Sequence, residues 1–368
     1  MRKIIFVWII AAALLFSCAH AAESLSIDAK AAVLIDAGSG RVLFAKNENQ
    51  MLPEASCTKI MTALVALENS SLDENVTAGK NAHGVTGTSL YLSEGETLTM
   101  EQMLYGLMLR SGNDAAVAIA EHVAGSVSEF CRMMDQRAEQ IGADAAFKNP
   151  HGLDADGHAA SALGLAKIMR AAMKNPTFRE ITATQKKIIP WVGNEYSRVL
   201  ENKNRLLSTY EGANGGKTGY TSKAGRCLVF SAKRGETELI GVVLNCPTWF
   251  DTAEKMLDYG FEHYATETFL QAGEIAGTAA VNGGEEDHVN AVAAETISAA
   301  IAKHEIPDLN IHIDTQNAPV RYGQTVGQVH LLCGNEVLDK SALIAAEDVA
   351  AKSFAASLLR IIRRWLLF

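Results

Sequence analysis

Apolar residues recur at helical spacing from Ile60 to Leu67, and this periodicity predicts a helix that begins near Ser56. Upstream, residues 31–45 contain two short apolar runs around a Gly-rich turn, which predicts a β-hairpin. Strand followed by helix in one continuous pattern indicates a folded domain that mixes the two element types.

The same periodicity predicts further helices, namely one opened by a capping box at residues 99–102, one over 115–123 and one over 161–173. Gly112 separates the first two of these, and Asn175-Pro176 ends the last. Helices therefore dominate the middle of the chain.

Short apolar runs replace the helical pattern farther along. Residues 227–232 and 239–244, joined by the polar turn 233–236, predict a two-stranded unit. After about residue 261 the chain becomes rich in Gly, Val, Ala and Thr, with alternating stretches and one expected helix over 291–303. We therefore predict an α+β fold with a domain over 22–265 and a small β-rich domain over 266–346.

The N-terminus predicts export. Arg2 and Lys3 precede an apolar run, and Ala19-His20-Ala21 offers a small-x-small cleavage site, so residues 1–21 are predicted to be a signal peptide. A lipoprotein signal that uses Cys18 is an alternative that the bulky Phe16 disfavours. An uncleaved membrane anchor is a second alternative, which the short apolar run disfavours.

The C-terminus, residues 350–368, is predicted to form a cationic amphipathic helix. One arc of it carries Lys352, Ser353, Ser357, Arg360, Arg363 and Arg364, and the other carries Phe354, Leu358, Ile361, Ile362, Trp365 and Leu366. The segment is too short and too charged to span a bilayer. We expect it to lie in the headgroup region of an anionic membrane, the alternative being a helix packed on the protein's own surface.

Composition excludes several classes of function. The net charge of −9 argues against nucleic acid as a partner. The six cysteines contain no CxxC pair, so neither a zinc site nor a thioredoxin-like motif is supported, and we expect no metal and no cofactor. Cys57 could take part in thiol chemistry beside Ser56, but its neighbours favour a small buried side chain.

The clearest candidate chemistry is the Ser56-x-x-Lys59 motif. Residues three apart share a helix face, so the amine can reach the hydroxyl. A serine becomes nucleophilic when a base removes its proton, and a lysine can be that base when burial or a nearby cation keeps it neutral. Taken alone, Ser56 would more often be a helix N-cap.

Two other weak signals accompany this motif. Ser111 and Asn113 stand at the break between two helices, where they can point into a cleft or simply form a turn. Lys217-Thr218-Gly219 precedes the two-stranded unit, where it offers a fixed positive charge and a bare edge for a substrate backbone. His151, in the loop 149–154, could be an acid or base, although a lone loop histidine is more often structural.

The three motifs occur in the order found in penicillin-binding proteins and class A β-lactamases. The chain most closely resembles the low-molecular-mass penicillin-binding proteins that are D-alanyl-D-alanine carboxypeptidases, in its motifs at 53–62, 111–115, 149–153 and 217–221. The resemblance covers nearly the whole mature chain. It implies a β-lactamase/transpeptidase-like catalytic domain, with an antiparallel sheet between helices, followed by the β-rich domain and the terminal helix.

The resemblance also implies four catalytic residues. Ser56 would form an acyl-enzyme, and Lys59 would act as its base. Ser111 would relay a proton to the leaving amine, and Asn113 would hold both Lys59 and an amide of the substrate.

Four further residues would bind the substrate. Lys217 and Thr218 would hold its terminal carboxylate, and Gly219 would allow close approach. The backbone N–H of Tyr220 would complete an oxyanion hole with that of Ser56.

The implied partners are the peptidoglycan pentapeptide, β-lactam antibiotics and an anionic membrane surface, at the outer face of the cytoplasmic membrane. A β-lactamase, an inactive penicillin-binding scaffold and an endopeptidase are the alternatives. The chain departs from the family pattern at Asn214-Gly215-Gly216, just before Lys217. We therefore expect the strand there to be less rigid and the reaction to be slower. Lys203 and Arg205 both remain candidates for an assisting basic residue.

Overall fold

The computed structural model describes residues 25–353 together with Leu358 and Ile362. The predicted signal peptide lies outside the described residues, as does most of the predicted C-terminal helix. The helices are α1 (Lys59–Asn69), α2 (Met100–Tyr105), α3 (Asn113–Ala124), α4 (Val127–Ile141), α5 (Ala162–Ala172), α6 (Pro176–Ala183), α7 (Leu206–Thr209) and α8 (Trp249–His263). Two irregular turns adjoin them, the 3₁₀ turn Ala55–Thr58 and the π-helical turn Gly106–Arg110.

The strands divide between two regions of the chain. The first region contains β1 (Ala31–Asp36), β2 (Val42–Lys46), β3 (Asn75–Thr77), β4 (Thr97–Thr99), β5 (Ala145–Ala146), β6 (Ala159–Ala160), β7 (Lys186–Ile189), β8 (Arg198–Glu201), β9 (Ala213–Thr221), β10 (Gly225–Arg234) and β11 (Thr237–Leu244). The second contains β12 (Tyr264–Leu270), β13 (Ile275–Asn282), β14 (His288–Ala293), β15 (Ile297–Ala302), β16 (Asp308–Ile313), β17 (Gln316–Asn317), β18 (Thr325–Cys333) and β19 (Glu336–Ala345).

A five-stranded antiparallel sheet organises the first region, in the order β2-β1-β11-β10-β9. Ala31, Val33 and Ile35 of β1 face the core formed with the helices between α1 and α6. Ala32 and Leu34 face the opposite core, which α8 covers. Because both faces are covered, every residue of β1 is buried. The predicted hairpin over 31–45 and the α+β fold are confirmed.

The predicted capping box at Thr99 is also confirmed, since its side chain accepts from Gln102 N and the Gln102 side chain bonds back to Thr99 N. Asn175-Pro176 follows α5 as expected, and it also opens α6, with the Asn175 side chain as its N-cap. The predicted two-stranded unit gains a third strand, because β9 pairs along β10 through the Lys217 motif.

The predicted helix over 291–303 is wrong. This stretch forms β14 and β15, separated by a short turn. Alanine favours helices, but Ala291 and Ala293 are buried where β14 pairs with Ala345 and Leu343 of β19. Cross-strand packing therefore overrides local propensity here.

The β-rich region consists of β12 paired with β15, next to a six-stranded sheet in the order β16-β18-β19-β14-β13-β17. Its core is apolar and built largely from Val, Ala, Leu and Ile. Arg41, in the turn between β1 and β2, joins the two regions by donating to Ala300 O at 2.8 Å and pairing with Glu305. None of the described helices is long and apolar enough to cross a membrane.

Candidate active site

Ser56 lies in a tightly constrained turn at the start of α1. Ala55, just before it, has a φ of 51°, in the left-handed region that is costly for a residue with a Cβ. Gly152 packs against this turn so closely that a Cβ there would lie 1.8 Å from Ala55 O. The loop 149–154 therefore fixes the backbone on one side of Ser56.

Lys59 connects the first two motifs. Its Nζ lies 2.9 Å from Ser56 Oγ, 2.7 Å from Asn113 Oδ1 and 2.6 Å from His151 O. The side chain is fully buried, and burial lowers the pKa of Lys59 well below its usual value, with the charges of Lys217 and Lys203 lowering it further.

A neutral lysine amine has two N–H groups and one lone pair. The oxygens of Asn113 and His151 can only accept hydrogen bonds, so they take the two N–H groups of Lys59. The lone pair is then directed at the hydroxyl of Ser56, which can rotate its proton toward it. This geometry suits proton removal from Ser56.

The break between the π-helical turn and α3 positions Ser111 and Asn113. Ser111 is buried and has a φ of 68°, a strained conformation that turns the chain between the two elements. Asn113 donates from Nδ2 to Thr86 O at 2.7 Å, which directs its Oδ1 toward Lys59. The structure thus joins Asn113 to Lys59, which in turn contacts Ser56 Oγ, while Ser111 lies two residues before Asn113 at the break.

Strand β9 forms the opposite wall of the cleft. Lys217 and Thr218 are buried, and burial lowers the pKa of Lys217 to about 7. Gly219 faces the Ser56 turn, where an added Cβ would lie 2.8 Å from Glu54 O and 2.9 Å from Ser56 N. Tyr220 follows with an exposed side chain. Glycine at 219 is therefore required for this wall to approach the turn.

The departure at Asn214-Gly215-Gly216 has a structural compensation. Thr182 of α6 makes two hydrogen bonds to the backbone of Gly216. Its Oγ1 accepts from the Gly216 N–H at 2.9 Å and donates to the Gly216 carbonyl at 3.1 Å. Gly216 has a φ of 135°, so a side chain there would be strained. Asn214 donates to Glu238 Oε1 at 2.8 Å. Hydrogen bonds thus fix this end of β9, where the chain departs from the family pattern.

The structure distinguishes between the two basic residues left open by the sequence. Lys203 faces the cleft, with Nζ 3.4 Å from Thr88 Oγ1, and its charge lowers the pKa values of both Lys59 and Lys217. Arg205 instead pairs with Asp251 and stacks on the ring of Phe250. Lys203 is therefore the basic residue that acts on the cleft.

The roles of His151 and Cys57 are structural. The ring of His151 is largely buried, which lowers its pKa to about 3, and its Nδ1 accepts from Leu153 N at 3.2 Å. It reaches Lys59 through its carbonyl rather than its ring. Cys57 is fully buried, and burial raises the pKa of its thiol well above the usual value, so it remains a protonated core side chain.

Sequence reasoning missed a buried polar cluster behind Ser56. Glu54 Oε1 lies 2.8 Å from Thr58 Oγ1 and 2.9 Å from His158 Nε2, and all three side chains are buried. His158 Nδ1 accepts from Lys148 N, so its proton lies on Nε2, facing the carboxylate. Glu54 and Thr58 flank Ser56 in the sequence, but their distant partner His158 carries no local signal.

Comparison with known proteins identifies the family. A model for D-alanyl-D-alanine carboxypeptidase matches residues 18–248, which is more than half of the chain. The chain belongs to the D-alanyl-D-alanine carboxypeptidase family. A second model, for the C-terminal domain of penicillin-binding protein 5, matches residues 264–351.

Individual relatives agree with this assignment. The chain is 34% identical to the D-alanyl-D-alanine carboxypeptidase DacF of Bacillus subtilis, over 94% of this chain and 92% of that protein. It is 31% identical to DacC of Escherichia coli, over 92% and 88%. A crystal structure of penicillin-binding protein 5 from Haemophilus influenzae superposes with a TM-score of 0.76 and 29% identity, covering 88% of this chain and 98% of that one.

These matches confirm the predicted family and the predicted fold class, namely a transpeptidase-like domain followed by a β-rich domain; they do not extend to the predicted terminal helix. They also confirm the prediction of a serine-type carboxypeptidase over a β-lactamase or an inactive scaffold.

Proposed function

We propose that the chain removes the terminal D-alanine of peptidoglycan stem peptides through an acyl-enzyme on Ser56. The observation that carries this proposal is the buried Lys59, whose Nζ lies 2.9 Å from Ser56 Oγ and whose pKa burial lowers well below its usual value. Lys59 takes the hydroxyl proton while Oγ forms a bond to the carbonyl carbon of the penultimate D-alanine. The C–N bond then breaks, and the amine of the terminal D-alanine leaves with a proton. Water later hydrolyses the ester.

Ser111 and Asn113 support the transfer of this proton. In this proposal Ser111 relays the proton from Lys59 to the departing amine. The strained break holds Ser111 two residues before Asn113. Asn113 keeps Lys59 in place through its Oδ1 and presents its amide group to the substrate backbone. Both roles depend on the break between the π-helical turn and α3.

Lys217, Thr218 and Gly219 supply the binding wall. A carboxylate that approaches Lys217 favours its charged form, so substrate binding raises the pKa of this amine from about 7. The backbone N–H groups of Ser56 and Tyr220 form the oxyanion hole, since Gly219 brings β9 against the turn of Ser56. Penicillin, which also carries a carboxylate beside a reactive carbonyl, is attacked by the same Ser56 and released slowly.

The direct test is D-alanine release from a peptide that ends in D-alanyl-D-alanine, with Ser56→Ala as the control. We expect the wild type to release one D-alanine per peptide and the variant to release none. The absence of release by the wild type would contradict the proposal. Incubation with a cross-linked peptide dimer separates the alternative, because an endopeptidase would yield two stem peptides instead of free D-alanine.

We further propose that the mature enzyme lies at the outer face of the cytoplasmic membrane, held by residues 350–368, with domains over 22–265 and 266–346. Leu358 and Ile362, one helical turn apart, are both helical and exposed, which supports an apolar face open to lipid. Deletion of residues 352–368 should abolish binding to anionic vesicles while D-alanine release continues. Persistent binding would refute this anchor and direct attention to Cys18 lipidation or an uncleaved signal.

A further inference from the structure

A small cavity lies beside Arg110, the residue that precedes Ser111. It has a volume of about 260 Å³ and lies between the loop 89–91, the hairpin formed by β7 and β8, and Arg110. Trp191 and Tyr91 supply aromatic surface at its edge, and Ser89 and Ser197 supply hydroxyl groups. The mixture of apolar walls with a few polar groups is typical of small-ligand sites.

The cavity and the catalytic cleft share a wall. The loop that begins at Thr86 accepts two hydrogen bonds from Asn113, to Thr86 O and to Thr88 O, each at 2.7 Å. Asp114 holds the same loop by accepting from Ser89 Oγ at 2.6 Å and from Leu90 N at 3.0 Å. The loop 86–91 therefore connects the break that carries Asn113 to the wall of the cavity.

Two arginines line the cavity, and they differ in whether a carboxylate neutralises their charge. Arg198 is buried and pairs with the carboxylate of Glu96 at 2.6 Å, so its charge is neutralised within the protein. Arg110 is exposed, and no carboxylate pairs with it in the part of the chain that the structure describes. Arg110 also lies close enough to Lys203 to lower its pKa. The cavity mouth is therefore positively charged.

The positive charge of Arg110 is additional to that of Lys217, which the reaction needs. In the proposed function, which the inference presupposes, Lys217 holds the terminal carboxylate of the substrate. A guanidinium without an internal partner favours a second carboxylate, which it can bind with two parallel hydrogen bonds. The exposed position of Arg110 lets it meet such a group at little cost in desolvation.

We propose that this cavity binds a side-chain carboxylate of the residue that precedes D-alanyl-D-alanine in the stem peptide, with Arg110 as its principal ligand. Ser197 donates a further hydrogen bond, and Trp191 contacts the aliphatic part of the side chain. The cavity is thus a specificity subsite that separates acidic from amidated stem peptides.

The test compares two N-acetylated peptides that end in D-alanyl-D-alanine and differ only in the preceding side chain, which carries a carboxylate or its carboxamide. We expect the wild type to have a kcat/KM about threefold higher for the carboxylate peptide, since an ion pair with an exposed arginine is weak. Arg110→Gln should bring this ratio close to one, and Arg110→Lys should restore part of it. Arg132→Gln removes the same charge from an exposed site on α4, where it forms an ion pair with Glu129, and it should keep the wild-type ratio.

Each outcome bears on a separate claim. Equal kcat/KM values for the two peptides in the wild type would overturn the subsite while the D-alanine release itself upheld the proposed function. An equal fall for both peptides in Arg110→Gln, with the ratio preserved, would also overturn the subsite, because it would show a structural role next to Ser111. Release from neither peptide would instead contradict the proposed function.

Discussion

The two regions of the chain bury different kinds of side chain. We call the first, which contains β1 to β11 and α1 to α8, the catalytic region, and the second, which contains β12 to β19, is the β-rich region. The catalytic region buries charged or polar groups around Ser56, among them Glu54, Lys59, His158 and Lys217. Within the described residues from 264 onward, Ser341 is the one polar side chain that is buried as a whole. The rest of that core is apolar.

This difference shows where the chemistry lies. Burial of an ionisable group is unfavourable unless it is paired or changes its protonation state. In the catalytic region, burial and the charges of Lys217 and Lys203 lower the pKa of Lys59, which is what its proposed role as a base requires. The β-rich region has no comparable set of described residues, so we expect changes there to affect stability rather than acylation.

The largest expected effect is the loss of the base. Lys59→Ala should lower the rate of D-alanine release by at least about a thousandfold, since residues that act as a unit in catalysis cost this much when one is removed. The thermal unfolding curve should show an intact fold, because the amine acts on the hydroxyl and a buried lysine does not favour folding. An unchanged rate of release would refute the assignment of Lys59.

The second largest effect is expected on stability, from a change in the buried cluster of Glu54, Thr58 and His158 behind Ser56. His158→Phe should lower the free energy of unfolding by about 3–5 kcal/mol, because it leaves the buried carboxylate of Glu54 without its nitrogen partner. The double variant Glu54→Leu, His158→Phe should recover part of this loss, as both polar groups are then gone. Urea unfolding measures all three proteins, and strictly additive effects would contradict a coupled pair.

A change at the junction of the two regions should affect stability alone. Glu305→Gln should lower the free energy of unfolding by about 2 kcal/mol, since it weakens the charged hydrogen bonds to Arg41. Glu336→Gln is the matched control, because that carboxylate lies 3.3 Å from Arg41 but is half exposed, so we expect little change. A lower acylation rate in Glu305→Gln would show that the two regions are not independent.

The smallest effect concerns the charge that acts on the base. Lys203→Gln removes a positive charge that lowers the pKa of Lys59, so this pKa should rise. Lys59 must be neutral to act, and the acid limb of the kcat/KM profile should therefore move slightly toward higher pH. Arg205→Gln, which removes a charge already paired with Asp251, should leave the limb in place. A shift of equal size in both variants would refute the specific role of Lys203.

The sequence was most informative where the relevant signal is local. Ser56 and Lys59 share a helix face, the capping box at Thr99 is complete within four residues, and β1 and β2 flank a Gly-rich turn. These features depend on spacing along the chain, which the sequence contains. The three motifs that point to the family could therefore be identified from their order and their setting.

Features that depend on distant contacts could not be predicted. His158 meets Thr58 across 100 positions, so no window of sequence reveals the cluster. The choice between Lys203 and Arg205 depends on the direction in which each side chain leaves the backbone. The alanine-rich stretch over 291–303 became two strands because β19 and β12 pair with it. In each case tertiary packing, rather than local propensity, decides the outcome.

The most direct test of the central claim is intact-mass spectrometry of the mature protein after incubation with penicillin, beside Ser56→Ala. The account predicts a stable adduct of one penicillin on the wild type, located on the peptide that contains Ser56, and none on the variant. Rapid turnover of penicillin without a lasting adduct, or an adduct that persists in Ser56→Ala, would contradict it.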